Sequence, residues 1–239
     1  MINYYKKLIG VVLCSILIFF LVACEKQQES ESTQSKTPET SESLKSDNET
    51  IKIEDARILV AYFSRIGNSD TPNETEAVSS ASVNIRNNVI EGNTEIVAKM
   101  IQSKTGGDIS LIEMENKYPS DYSVIENQGR DERNDNIRPV LLNNRSDIDS
   151  YDIIFLGYPN WWGDMPMAVY SFLEEYDFSN KIIIPFCTSG GSGFSNSIEN
   201  IRKEQPQATI KDGLAISQTL PDGTEDEINT WLSNLGLTK

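Results

Sequence analysis

Three short stretches hold most of the chemistry-bearing residues of this 239-residue chain. In Tyr158-Pro159-Asn160-Trp161-Trp162-Gly163-Asp164 two indoles stand side by side. Neighbouring side chains do not easily both point into a core, and an exposed indole is costly unless something covers it. A planar aromatic ligand stacked on Trp161 or Trp162 would cover it. Pro159, Asn160 and Gly163 would bring backbone to the ligand's edge. The alternative is one core tryptophan and one hydrophobic lid. A second stretch, Thr188-Ser189-Gly190-Gly191-Ser192-Gly193-Phe194, carries three glycines. Gly190, Gly191 and Gly193 let the main chain approach a ligand closely, and Thr188 and Ser189 add hydroxyls, although a flexible turn has the same composition. The third stretch, Ser64-Arg65-Ile66-Gly67-Asn68-Ser69, is rich in hydroxyl and amide groups. Backbone N–H groups and a following helix N-terminus can surround a phosphate there. The apolar helical pattern begins only near Thr94, so residues 66–91 read as an insertion. The phosphate site is therefore expected at Ser64, Asn93 and Thr94, with Arg65 and Asn68 as further candidates. Asn93 or Thr94 could instead simply cap the helix.

The composition narrows the chemistry. The chain has no histidine, which removes Ser-His-Asp and Cys-His catalysis, HExxH zinc sites and histidine-ligated haem. Its three cysteines, Cys14, Cys24 and Cys187, have neither CxxC nor metal-ligand spacing. Ser189 and Ser192 lack a base partner, so no side chain is assigned a catalytic role and no metal is expected. Chemistry here needs a borrowed cofactor. A formal net charge of -15 disfavours nucleic acid and anionic lipid surfaces and suits a partner with a basic patch.

Short apolar runs at residues 58–63, 152–157 and 182–187 read as strands covered on both faces, with weaker strands at 109–112 and 214–217. Helical patterns lie between them. One spans 94–105 and ends at Gly106-Gly107. Another spans 165–176, with Asp164 as cap and Pro166 in the first turn. A shorter one spans 195–204. The last starts at Thr224-Glu225-Asp226-Glu227, read as a capping box, and carries the stripe Ile228, Trp231, Leu232 and Leu235. Alternating β and α segments imply a parallel sheet with helices on both faces. Ligands of such sheets bind beyond the C-terminal strand ends, where all three stretches fall. Cys187, inside an apolar run, reads as a small core residue.

The first residues form a separate address. Lys6 and Lys7 precede an almost wholly apolar run at 8–20, too short to span a bilayer comfortably. The run ends in Leu21-Val22-Ala23-Cys24, which resembles the bacterial lipobox. The resemblance implies a signal peptide over 1–23 and lipidation of Cys24, holding the protein at the cell membrane on its extracytoplasmic face. An uncleaved anchor is the alternative. Residues 24–55 are too polar to offset their ordering entropy and read as a disordered tether, leaving 56–239 as the folded domain.

The motifs Tyr62-Phe63-Ser64, Gly157-Tyr158-Pro159-Asn160-Trp161-Trp162 and Pro185-Phe186-Cys187-Thr188-Ser189-Gly190 closely resemble a bacterial flavodoxin-like family, from about Arg57 to the C-terminus. The resemblance implies a three-layer α/β/α sandwich around a five-stranded parallel sheet of order 2-1-3-4-5. It also implies FMN, with the first loop on the phosphate and the other two around the isoalloxazine. An electron-transfer or oxidoreductase role would follow, with a redox protein or a quinone-type small molecule as partner. An NAD(P)H-dependent quinone or flavin reductase and a non-catalytic flavin-binding lipoprotein are the alternatives. No GxGxxG follows a strand, which argues against a dinucleotide fingerprint. The oligomeric state stays open.

Overall fold

The computed structural model describes residues 56–70, 82–86, 88–142 and 145–238, all within the compact unit Asn48–Lys239. The expected signal peptide, Cys24 and tether lie outside the described residues.

The order of elements is β1 (Ile58–Tyr62), β2 (Val83–Arg86), β3 (Val89–Gly92), α1 (Asn93–Thr105), β4 (Asp108–Leu111), α2 (Tyr122–Asn134), β5 (Ile153–Pro159), α3 (Met167–Glu175), β6 (Ile182–Ser189), α4 (Ser197–Glu204), β7 (Thr209–Ile210), β8 (Leu214–Ser217) and α5 (Thr224–Asn234). A kinked turn at Arg65–Asn68 and a short 3-10 turn at Ile148–Ser150 complete the set.

The main sheet is parallel throughout, in the order β4-β1-β5-β6, and its last position is shared. There β7 pairs with Ile182 and Ile183, and β8 pairs with Phe186 to Ser189. Counting β7 and β8 as one position gives five strands in the order 2-1-3-4-5, the expected flavodoxin-like α/β topology. All seven residues of β5 are buried, because helices cover both faces. Alternation along β1 sends Leu59, Ala61 and Phe63 into one core and Val60 and Tyr62 into the other. The first core packs with α2, α3 and α4, and the second with α1 and α5. Gly157 leaves room between β5 and β6, since a Cβ there would lie 2.1 Å from Phe186 Cζ.

Several boundaries differ from expectation. β5 runs to Pro159 and β6 to Ser189, two residues beyond their apolar runs, because strand pairing continues through Tyr158–Cys187 and Pro159–Thr188. Helix α3 starts after Pro166 and Asp164 does not cap it. The Asp164 carboxylate instead accepts hydrogen bonds from Met165 N (2.8 Å), Tyr170 Oη (2.9 Å) and Asn200 Nδ2 (2.8 Å). The capping box of α5 does not form either. Gly223, with φ +94°, is the cap, and the Thr224 hydroxyl donates back to Pro221 O at 2.7 Å. Helix α4 begins at Ser197, since Ser195 has φ +48°. The stretch read as an insertion contains an antiparallel hairpin, β2–β3, whose end runs directly into α1.

Candidate functional site

The loops after β1, β5 and β6 leave the same edge of the sheet, since these three strands are parallel neighbours. Ser64 follows β1 at the point where Phe63 N donates to Gly157 O at 2.8 Å. It is 1% exposed, and its Oγ has no hydrogen-bond partner. A buried hydroxyl without a partner costs about 1–3 kcal/mol, so a native one calls for an explanation. The hydroxyl lies over Gly92 at the head of α1, where a Cβ would come within 1.8 Å of it. Gly92 is therefore the residue that lets β1 and the start of α1 approach.

The start of α1 is built to stay open. Glu95 accepts the Gly92 N–H at 3.3 Å, and Asn93 N donates to Ser82 O of the hairpin at 3.1 Å. Asn93 and Thr94 are both buried, 2% exposed each. Thr94 Oγ1 and Thr188 Oγ1 lie 2.9 Å apart, joining the head of α1 to the end of β6. The structure thus brings Ser64, Asn93, Thr94 and Thr188 together. Tyr62, beneath them, has its phenol pushed up to about 12 by burial, then by the Glu95 carboxylate.

Two candidates point inward instead. Arg65 is fully buried; its guanidinium donates to Ser120 O and lies 5.6 Å from the Tyr122 ring centroid. Asn68 donates to Ser64 O and Ile112 O, each at 2.9 Å, and accepts from Met114 N at 2.7 Å. Both side chains brace the loop against the segment after β4.

Loops two and three are latched by Asn160. Its amide donates to Gly193 O (2.6 Å) and Ser195 Oγ (3.2 Å), and its Oδ1 accepts from Gly163 N (3.1 Å). Asn160 N donates to Thr188 O (2.8 Å), and Asn196 N donates to Gly163 O (3.1 Å). The sequence suggested a ligand contact at Asn160, but the geometry makes its side chain a brace. Trp161 and Asp164 exchange backbone hydrogen bonds of 2.9 and 3.0 Å, closing a tight turn with Trp162 at φ +55° and Gly163 at φ +78°. In loop three the Ser189 hydroxyl accepts from Gly193 N at 3.0 Å and Gly191 N at 3.4 Å. Gly190 and Gly191 are exposed, and nothing lies within 4 Å of a Cβ built on Gly191.

The two indoles divide. Trp161 packs edge-on against Phe63 (5.5 Å) and Tyr118 (5.7 Å). Trp162 is 42% exposed and lies along α2, with Nε1 donating to Glu126 O at 2.9 Å. Arg133 donates to Trp162 O at 2.6 Å, and Arg130 sits 5.9 Å from its ring. Tyr158 stays in the core, its hydroxyl 2.8 Å from Ser197 Oγ, so it offers no ring to a ligand.

Sequence reasoning missed Tyr118 and Glu132. Tyr118 N donates to Asn68 O (2.8 Å), and its phenol donates to Glu132 at 2.6 Å. Burial, with the nearby Glu132 carboxylate second, holds that phenol well above its ordinary value. One tyrosine thereby couples loop one to the indole of loop two.

A family model described as Flavodoxin matches residues 82–235. The chain belongs to the flavodoxin family. Among curated flavodoxins, Flavodoxin 1 of Escherichia coli (strain K12) is 27% identical over 103 residues, covering 40% of this chain and 42% of that protein. Flavodoxin of Haemophilus influenzae is 27% identical over 96 residues, 38% of this chain and 41% of that protein. The chain therefore matches about two fifths of the length of these curated flavodoxins. Among solved structures, a Bacteroides eggerthii protein provisionally described as a flavoprotein has a TM-score of 0.58 and 28% identity, covering 77% of this chain and 99% of that one. A Lactobacillus acidophilus flavoprotein solved in complex with FMN has a TM-score of 0.51 and 16% identity, covering 72% of this chain and 97% of that one; that likeness concerns the fold.

Proposed function

We propose that this flavodoxin holds one FMN across its three loops and works in electron transfer, lipid-anchored through Cys24 outside the cell membrane. The observation that carries the cofactor reading is the Ser64 hydroxyl, buried without a partner beside the head of α1. A phosphate oxygen is the acceptor such a donor lacks, and first-turn N–H groups of a 13-residue helix add donors and a favourable dipole. Ser64, Asn93 and Thr94 would hold the phosphate. Thr188 orients Thr94 toward it. The main chain of 159–163 and of 189–193 would border the isoalloxazine, with the indoles of Trp161 and Trp162 as the wall of loop two. Arg65, Asn68 and Asn160 fix the loops from behind.

FMN supplies the redox chemistry, accepting and releasing one or two electrons. The protein's part is to orient the ring, restrict water and set the electrostatics around it. A net charge of -15 disfavours adding negative charge to the bound ring and steers association toward partners with basic patches.

The test is the absorbance spectrum of the purified full chain after incubation with FMN and desalting. Retained flavin bands at about one equivalent support the reading, and a colourless protein contradicts it. Reduction by dithionite without turnover of NADPH would mark a carrier, whereas rapid bleaching by NADPH would mark a reductase.

A further inference from the structure

A cavity of about 190 Å³ opens between α2 and the Trp161–Trp162 turn, lined by Tyr122, Ile125, Glu126, Asn160, Trp161 and Trp162. None of its lining residues comes from loop one or loop three. The turn is anchored to loop three through Asn160–Gly193 and Gly163–Asn196, and this cavity lies toward α2.

Three aromatic rings and an isoleucine form most of the wall. Trp162 is fixed before any ligand arrives, by its bond to Glu126 O, by Arg133 on its carbonyl and by a left-handed backbone that a bulky residue adopts only at a cost. Of the two polar side chains, the Asn160 amide is committed to loop three and to Gly163. That leaves the Glu126 carboxylate, which repels anions. The volume is below the roughly 300–1,000 Å³ of pockets for drug-sized ligands. It suits one or two fused rings better than the three rings and phosphate of a flavin.

We propose that this slot binds a small, uncharged, planar ring system of the quinone class, on the far side of the loop-two wall from the flavin. The proposal rests on the flavin reading for its significance, since it puts a second planar molecule beside the cofactor. Binding in the slot is nevertheless a property of the chain's own residues.

The test titrates the full chain, with and without FMN, with 2-methyl-1,4-naphthoquinone and with 1,4-naphthoquinone-2-sulfonate, following tryptophan emission. The expected result is saturable quenching by the neutral quinone and about tenfold weaker binding of the sulfonate. Glu126→Gln should narrow that gap to about threefold or less. Tyr122→Ala should weaken the neutral quinone about tenfold, and both variants should keep FMN absorbance. Unsaturable quenching, or equal affinity for the two quinones in the unaltered protein, overturns the proposal. Mutual displacement of quinone and FMN also overturns it, because the slot would then belong to the flavin ring. Failure to retain FMN would count against the cofactor reading alone, since quenching in the cofactor-free chain still reads the slot.

Discussion

Thr94 and Thr188 are 94 positions apart in the chain, yet their hydroxyls meet at 2.9 Å. One lies in the first turn of α1 and the other at the end of β6, and both are nearly inaccessible to solvent. That contact ties the phosphate end of the site to the loop that borders the ring.

Removing one member of this pair leaves the other hydroxyl buried without its partner, at a cost of about 1–3 kcal/mol. Thr94→Val and Thr188→Val should each lower stability by about that amount in urea unfolding. The double variant should lose less than the sum, giving a coupling of about 0.5–3 kcal/mol. Additive losses would mean that the two hydroxyls do not interact.

Ser64→Ala should behave in the opposite sense. The cofactor-free protein should keep or slightly gain stability, because a partnerless buried hydroxyl disappears. FMN affinity should fall about tenfold, equivalent to about 1.4 kcal/mol. Calorimetric melting of the apoprotein, paired with an FMN titration, separates the two effects.

Asn160→Asp should be worse than Asn160→Ala. The aspartate presents a carboxylate to the Gly193 carbonyl, where the amide now donates at 2.6 Å. Alanine only deletes the latch, at about 1–2 kcal/mol, whereas the aspartate adds repulsion between two acceptors. Urea midpoints of the two variants give the ranking, and equal midpoints would count against the latch.

Much of this architecture is legible in the sequence, because buried parallel strands write themselves as apolar runs. β1, β5, β6 and β8 fall where such runs lie, and α1, α3 and α5 where apolar residues recur at helical spacing. Helix α2 is not legible, for a physical reason. Its buried face is Ile125, Gly129 and Glu132, at helical spacing but with one apolar side chain. Gly129 leaves room for Trp161, whose Cε3 would lie 3.1 Å from a Cβ there, and Glu132 is covered by Tyr118 and Gln128. Hydrophobic periodicity registers neither. The hairpin is similarly faint, since Ile85 and Val89 are exposed and only Val83 turns fully inward among its apolar residues. At the site, residue type located the loops. Whether a polar side chain faces a ligand or braces the main chain depends on partners far away in sequence, which is why Arg65, Asn68 and Asn160 read alike before their bonds are known.

Cys187 should make stability fall at alkaline pH. Burial pushes its thiol from 9.0 to about 12, so the folded chain holds that proton more tightly than the unfolded chain. The contribution is intact below pH 9 and is lost as pH rises from there toward about 12. Replacement by alanine should flatten the alkaline limb of a stability–pH profile relative to the unaltered protein, and thiol reagents at pH 8 should label Cys187 only as fast as the protein opens.

The central claim is a phosphate held by Ser64 and the head of α1, and it is tested most directly by titrating the full chain with FMN and, in parallel, with riboflavin. The two ligands differ only in the phosphate. Binding of FMN tighter than riboflavin by at least about a hundredfold, with the difference reduced in Ser64→Ala, is the predicted result. Equal affinities for the two flavins would contradict the account.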